Sequence, residues 1–273
     1  MKLIFKNSTH SYTSEDNTSW KSVTTITGNF KQPFDSDAIA LKSSKNKKGK
    51  WYGMSVSDIQ KAWKKESDRS LELGNWYHNL KEKEILGLDF VVMEDSILDI
   101  VPPKYEEDIK IAPDQVITNG VYPEHMVYLK SAGICGQSDL VTVCNNKINI
   151  TDYKTGKEIK KESFKSWDGI SQKMLQPLNH LDDCNYNHYA LQLSIYMYIM
   201  LKHNPSLSPG EMLIHHILFE ESDKRDEFDY PIYLLNENGD PIVKEVVVYS
   251  VPYLKDEVMS LIKWLDKNPI KKK

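Results

Sequence analysis

Cysteine is scarce in this chain, with Cys135, Cys144 and Cys184 the only three among 273 residues. At that number and spacing they supply neither a disulfide framework nor a zinc site. Long apolar runs are missing too: nothing is long enough to span a bilayer, and no signal peptide is visible, so a cytoplasmic protein without a membrane partner is expected. A phosphate-binding loop of the G-x-x-x-x-G-K-[S/T] type does not occur, so the chain shows no motor of its own. Nor is there a surplus of positive charge. Thirty-five lysines and arginines against 39 aspartates and glutamates leave a net charge of −4, which argues against coating nucleic acid by bulk attraction. No segment resembles a linker, and a hydrophobic fraction of 40% suffices for a full core, so one domain over residues 1–273 is expected.

What the chain does have is the stretch from Ile134 to Lys157, ICGQSDLVTVCNNKINITDYKTGK. Asp139 to Cys144 and Lys147 to Lys154 read as strands joined by Asn145 and Asn146, residues that tolerate the positive φ of a two-residue turn. That turn sets a register in which Cys144 meets Lys147, Val143 meets Ile148 and Asp139 meets Asp152. The two carboxylates then oppose one another with Cβ atoms about 5 Å apart. Val141, Val143, Ile148 and Ile150 share their face, so the acidic pair stands at the rim of an apolar surface, and Lys154 joins it. Like charges so placed repel unless something positive lies between them. A hard divalent cation answers this, because it takes carboxylate oxygens, water and substrate phosphate. A lysine beside it steadies charge on a phosphate. The bland rival is a turn aspartate and an unrelated Asp-Lys pair on a solvated edge, and D-x-K alone is a weak signal.

Gly136-Gln137-Ser138-Asp139 followed by Ile150-Thr151-Asp152-Tyr153-Lys154-Thr155-Gly156-Lys157 resembles the G-x-x-D and D-Y-K-T-G-K core of the PD-(D/E)XK nucleases. The resemblance is to the RecB-like branch, which takes in Cas4-like and phage exonucleases. Leu73-Gly74-Asn75-Trp76-Tyr77-His78 is similar to that branch's G-x-x-x-H helix, and Gln192-Leu193-Ser194-Ile195-Tyr196 to its Q-L-x-x-Y helix, all in the expected order. The four-cysteine iron-sulfur cluster of Cas4-like relatives has no counterpart here.

The resemblance implies an α/β restriction-endonuclease-like core, a mixed central β-sheet flanked by helices, with a small N-terminal β element. It implies hydrolysis of DNA phosphodiester bonds with Mg²⁺ or Mn²⁺, most naturally exonucleolytic processing of ends in recombination, repair or phage DNA metabolism. Asp139 and Asp152 would hold the metal, aided by His78 and Glu124, and the carbonyl of Tyr153 would complete the shell. For Glu124 an exposed strand position is an equal rival. Lys154 would act on the phosphate, while Gln192 and Tyr196, stacked at i and i+4, would position water, lysine or phosphate. Lys157, Lys160 and Lys161 are the expected DNA contacts. A structure-specific endonuclease, a subunit dependent on a helicase or recombinase, and a non-catalytic DNA-binding protein remain alternatives. A single-strand-binding protein is a further candidate partner, and the compartment would be the host cytoplasm if the chain is phage-encoded. Oligomeric state stays open.

Around this core (55–220) lie an N-terminal extension (1–54) and a C-terminal hairpin and helix (221–273). Leu3 to Phe5 and His10 to Tyr12 read as a hairpin, Ser22 to Ile26 as a β-branched strand, and Phe34 to Ala40 as the start of a capped helix. Lys42 to Lys50 is a basic loop. Ser55 to Leu86 is helical, with a break expected near Ser67. Tyr105 to Val116 reads as a short helix and Val121 to Leu129 as a strand that turns His125 away from Glu124. The polar connection from Glu162 to Asn185, with Trp167, Met174, Leu175 and Leu178, is expected to fold over the site as a lid or flap. Helix Tyr186 to His203, strand Met212 to Phe219, a hairpin of Tyr230 to Leu235 with Ile242 to Tyr249, and helix Lys255 to Lys267 follow. His215 and His216 point to opposite strand faces and are not expected to bind zinc.

Overall fold

The computed structural model describes residues 2–16, 18–166 and 168–268; Trp167 lies outside them. Strands β1 (Leu3–Lys6) and β2 (Ser11–Ser14) form the expected hairpin. The run from Ser22 to Ile26 departs from expectation. It is strand only through β3 (Lys21–Ser22) and then becomes the short helix α1 (Val23–Gly28). Ser22 accounts for the switch, since its hydroxyl accepts the Thr25 N–H at 3.0 Å, and a helix places Val23 and Ile26 on one buried face.

Helix α2 (Ser36–Lys45) starts where the Asp35 carboxylate accepts the Ala38 N–H. Helix α3 (Val56–Leu86) runs through Ser67 without a break. Ser55 caps it by accepting the Asp58 N–H and donating to the Asp58 carboxylate. Its buried positions Ile59, Ala62, Leu73 and Tyr77 lie on one stripe, and the apolar gap between them is filled by a Glu66–Arg69 ion pair at 2.6 Å. The gap is therefore chemical, not conformational.

A hairpin of β4 (Phe90–Met93) and β5 (Ser96–Asp99) follows. The helix expected between Tyr105 and Val116 is instead a second hairpin, β6 (Lys104–Glu106) and β7 (Ile109–Ile111), turning at Glu107 with φ 54°. Strand β1 presents an unpaired edge, and β7 fills it with Ile4 opposite Ile111 and Lys6 opposite Ile109. Tertiary pairing overrides the weak local preference of a three-residue segment. The result is a four-stranded antiparallel sheet in the order β2-β1-β7-β6.

The main sheet is built from β8 (Gly120–Leu129), β9 (Ile134–Cys144) and β10 (Lys147–Lys154), then, after helix α4 (Asn185–His203), β11 (Ser208–Phe219). A small pair, β12 (Glu221–Arg225) and β13 (Pro231–Tyr233), precedes the edge strand β14 (Val243–Ser250) and the last helix α5 (Lys255–Lys267). The expected pairing of residues 230–235 with 242–249 holds at its tip, where the Ile242 N–H donates to the Leu234 carbonyl at 3.0 Å beside the Leu235–Pro241 bridge; β13 pairs with β12, and β14 with β11. The sheet is mixed: β10 and β11 run parallel, while β8, β9, β10 and the β11–β14 pair are antiparallel. Asn145 and Asn146 take φ of 49° and 60°, and the register has Cys144 opposite Lys147 and Val143 opposite Ile148, as the turn requires.

Val141, Val143, Ile148 and Ile150 are fully buried under α4, with α1 and α5 contributing Ile26 and Leu261 to the same cluster. Each such aliphatic side chain contributes about 1.5–3 kcal/mol when removed from water. On the other face, Leu73 and Tyr77 of α3 pack on Tyr153, Ile217 and Phe219. The connection after β10 does not form the expected lid. It tucks Met174 and Leu178 into the core, where the Leu175 N–H donates to the Phe30 carbonyl at 2.8 Å. Those apolar side chains have more to gain inside the molecule than over a wet cleft. Among the described residues, no helix is long and apolar enough to cross a membrane.

Gly136 of β9 lies against α4, and a Cβ there would lie 2.7 Å from Cε1 of the buried Tyr196 and 3.2 Å from Cγ2 of Val23. Gly136→Ala is expected to lower stability by about 1–3 kcal/mol through overpacking. Gly156→Ala, whose Cβ meets nothing within 4 Å, should change it by no more than about 0.5 kcal/mol. Denaturant titration of both variants checks this; equal midpoints would contradict the close approach.

Candidate metal centre

The site forms where the sheet ladder is interrupted. Strand β8 occupies one edge of β9, so β3 and β10 share the other, β3 pairing at Ile134 and Cys135 and β10 from Leu140 onward. Among the described residues, 136–139 have no ladder partner on that second edge. The last β9–β10 pair is Leu140 with Thr151, so Asp139 and Asp152 stand one step beyond it. In place of a carbonyl, the Asp139 carboxylate accepts the Tyr153 N–H at 2.8 Å.

The β8–β9 ladder skips at the same level. Pro123 pairs with Leu140 and His125 with Ser138, while Glu124 between them takes φ 49°. Glu124, Asp139 and Asp152 therefore form a row across three adjacent strands, and helix α3 brings His78 to it. One ligand atom each from His78, Glu124 and Asp139 lie within 4.8 Å of one another. His78 Nδ1 is 3.4 Å from Asp139 and 3.7 Å from Glu124, and its other nitrogen, Nε2, donates to the Tyr153 carbonyl at 3.2 Å. A backbone acceptor on the far nitrogen is how a ligating histidine is commonly oriented. The Tyr153 carbonyl, expected to complete the metal shell, is the one that His78 engages.

Asp152 differs from expectation as well. It is outside the three-residue cluster and fully buried, with Lys154 Nζ 2.6 Å from Oδ2, yet neither carboxylate oxygen accepts a hydrogen bond in good geometry. A buried carboxylate whose Oδ1 has no partner, beside a histidine and two more carboxylates, is a donor set suited to a hard or borderline divalent cation. The residues present thus fit such an ion, with His78, Glu124 and Asp139 as the nearest ligands and Asp152 behind them.

Electrostatics follow from burial and crowding. Burial opposes charge on His78, but the Asp139 and Glu124 carboxylates overcome it and push its pKa up to about 11. Burial and then the Asp139 charge raise Glu124. For Asp139, the burial penalty is outweighed by His78, Lys154 and the Tyr153 N–H, which hold it ionised. Asp152 is pushed up to about 6 by burial and by Asp139, against the pull of Lys154. Lys154 is desolvated too, but Asp152 and Asp139 keep its ammonium charged well above the usual lysine range. It can act as a fixed positive charge and not as a base.

The cluster opens into a cavity of about 680 Å³ whose wall includes His78, Glu124, Asp139, Lys154, Gln192 and Tyr196. Gln192 donates to the Tyr196 hydroxyl at 3.3 Å, which leaves the tyrosine O–H free to donate; burial keeps it protonated. Lys157, Lys160 and Lys161 do not line the cavity: Lys160 pairs with Glu158, and Lys161 lies over the Tyr186 and Tyr249 rings. His125 is buried against Tyr122, away from the cluster, and burial lowers it to about 4. His216 Nε2 donates to the Gly156 carbonyl at 2.6 Å while His215 faces the Tyr153 ring, so they form no pair.

No family model matches the chain, and neither a curated protein nor a solved structure does.

Sequence reading missed Lys110, Gln137 and Tyr105, which also line this cavity. Reading residues 105–116 as a helix hid the Ile109-Lys110-Ile111 alternation that puts Lys110 on its own face.

Because His78 carries a proton at neutral pH in the metal-free protein and must be neutral to ligate, Mn²⁺ binding should release roughly one proton and tighten as pH rises. Titration calorimetry in buffers of different ionisation enthalpy reads this directly. A binding enthalpy independent of buffer would remove His78 from the ligand set.

Proposed function

We propose that this chain is a metal-dependent nuclease that hydrolyses DNA phosphodiester bonds. One observation carries the reading: three side chains able to ligate a metal, His78, Glu124 and Asp139, converge in a cavity that also holds a buried lysine, Lys154, kept charged by Asp152 and Asp139. Carboxylates alone would suit many cation sites. A fixed ammonium beside them suits a site that must also receive an anion.

A divalent cation, Mg²⁺ or Mn²⁺ by the hardness of the donors, would supply Lewis-acid polarisation of a phosphate oxygen and a nucleophilic water near neutral pH. The residues do the rest. His78, Glu124 and Asp139 hold the ion, and the Tyr153 carbonyl fixes the imidazole that faces it. Asp152 holds Lys154, whose ammonium offsets the charge that grows on the phosphate oxygens. Tyr196, with its hydroxyl oriented by Gln192, donates to a phosphate or water at the inner wall. Lys157, Lys160 and Lys161 continue from Gly156 at the cavity rim and provide a basic track for the strand backbone.

The likeness of the Gly136–Asp139 and Asp152–Lys157 segments to RecB-like nuclease motifs favours a restriction-endonuclease-like core and attack on DNA ends, in recombination, repair or phage DNA metabolism. On this reading a helicase, recombinase or single-strand-binding protein delivers the substrate, since no phosphate loop is present to drive it.

End-labelled linear duplex and closed-circular DNA, incubated with Mg²⁺, Mn²⁺ or EDTA, test the reading. Metal-dependent loss of linear DNA alone is expected. Asp139→Asn and Lys154→Ala should each slow it by roughly 10²–10³. Cutting of the circle would make the enzyme an endonuclease, and equal rates in the variants would overturn the assignment of the site.

A further inference from the structure

Lys110 is a lysine with almost no solvent, and burial lowers its pKa against the pull of Glu124. It sits on β7 of the N-terminal sheet, its side chain 4% exposed, and reaches across to the main sheet, where Nζ lies 3.7 Å from Glu124 Oε2 and donates to the Glu124 main-chain carbonyl at 3.3 Å. A buried ammonium is costly unless its partners are worth the desolvation.

Glu124 has a matching need. Its φ of 49° is unusual for a residue with a side chain, and such conformations persist only where the surroundings over-determine them. The kink takes the Glu124–Asp139 pair out of the ladder and aims the Glu124 carboxylate at His78 and Asp139. It also frees the Glu124 carbonyl, and Lys110 is the donor that meets it. Lys110 and the Gln137 amide, which donates, both meet Oε2, and that leaves Oε1 as the oxygen nearest His78 Nδ1.

We propose that Lys110 is a positioning residue of the cation site: by holding both the carbonyl and the carboxylate of Glu124, it keeps that side chain turned toward His78 and Asp139. This rests on the reading of the cluster as a divalent-cation site. It makes the four-stranded N-terminal sheet a working part of the centre, because that sheet supplies Lys110.

The sign of one measurement separates positioning from mere charge. Removing a cation beside a metal site would by electrostatics alone tighten metal binding. Removing a residue that orients a ligand weakens it, by roughly 10–100-fold where second-tier partners have been replaced. Mn²⁺ binding by titration calorimetry is therefore compared for the full-length wild type, Lys110→Met, Lys110→Arg, Glu124→Gln and the Lys110→Met/Glu124→Gln double variant. Expected are a loss of at least tenfold in Lys110→Met, partial recovery in Lys110→Arg, and no further loss when Lys110→Met is added to Glu124→Gln, since Lys110 acts through Glu124.

Unchanged or tighter binding in Lys110→Met would overturn the proposal while leaving the cation site intact. A further loss in the double variant relative to Glu124→Gln would also overturn it, by showing an action independent of Glu124. A wild type that binds no Mn²⁺ would instead bring down the reading of the cluster, and this inference with it. If Lys110→Met alone does not fold, the pair of variants in the Glu124→Gln background decides, because there the buried carboxylate charge has been removed together with its partner.

Discussion

Mutual repulsion among Glu124, Asp139 and Asp152 is the constraint to which the rest of this molecule is fitted. Three carboxylates stand side by side on adjacent strands, nearly out of water, where like charges interact strongly. The protein answers with cations placed one to each: Lys154 against Asp152, His78 against Asp139, and Lys110 against Glu124. None of these partners comes from the same element as another. The lysines lie on β10 and β7 and the histidine on α3, so the main sheet, the helix and the four-stranded sheet must all dock before the row is balanced.

The backbone makes room for that chemistry by giving up hydrogen bonds. The ladder stops at Leu140 with Thr151 on one side of β9 and skips Glu124 on the other, so the acidic row coincides with the level at which the strands separate. Side-chain groups take over the orphaned main-chain polar atoms. Asp139 accepts the Tyr153 N–H, His78 engages the Tyr153 carbonyl, and Lys110 meets the Glu124 carbonyl. A buried amide or carbonyl left without a partner is costly, so the same atoms that build the cluster also satisfy the interrupted sheet. Close contact with α4 at Gly136 keeps the gap from closing or filling.

Much of this was legible in the residues, because much of it depends on local periodicity and turn chemistry. Asn145-Asn146 imposes a two-residue turn, and from that turn alone the register, the buried face and the neighbourhood of Asp139, Asp152 and Lys154 follow. Ser55 with Asp58, and Gln192 with Tyr196, are likewise local, spaced by the helix repeat itself. Hydroxyl capping at Ser22 was local too, but it competed with the strand preference of the β-branched residues after it.

Other features belong to distances along the chain that no local pattern encodes. Whether residues 104–111 become helix or hairpin depends on the free edge of β1, about a hundred residues earlier, and with it hangs the arrival of Lys110. The connection after β10 goes into the core and not over the cleft because α1 and α4 leave an apolar space for Met174 and Leu178. Which side chains share a cation is of the same kind. The turn puts Asp152 beside Asp139, but the parting of β10 from β9 leaves Asp152 to Lys154 and gives His78 and Glu124 to Asp139. Spacing along a strand fixes neighbours to within one residue, whereas a ligand set is decided by side-chain positions to within about an ångström, and those are set by packing between elements far apart in the chain.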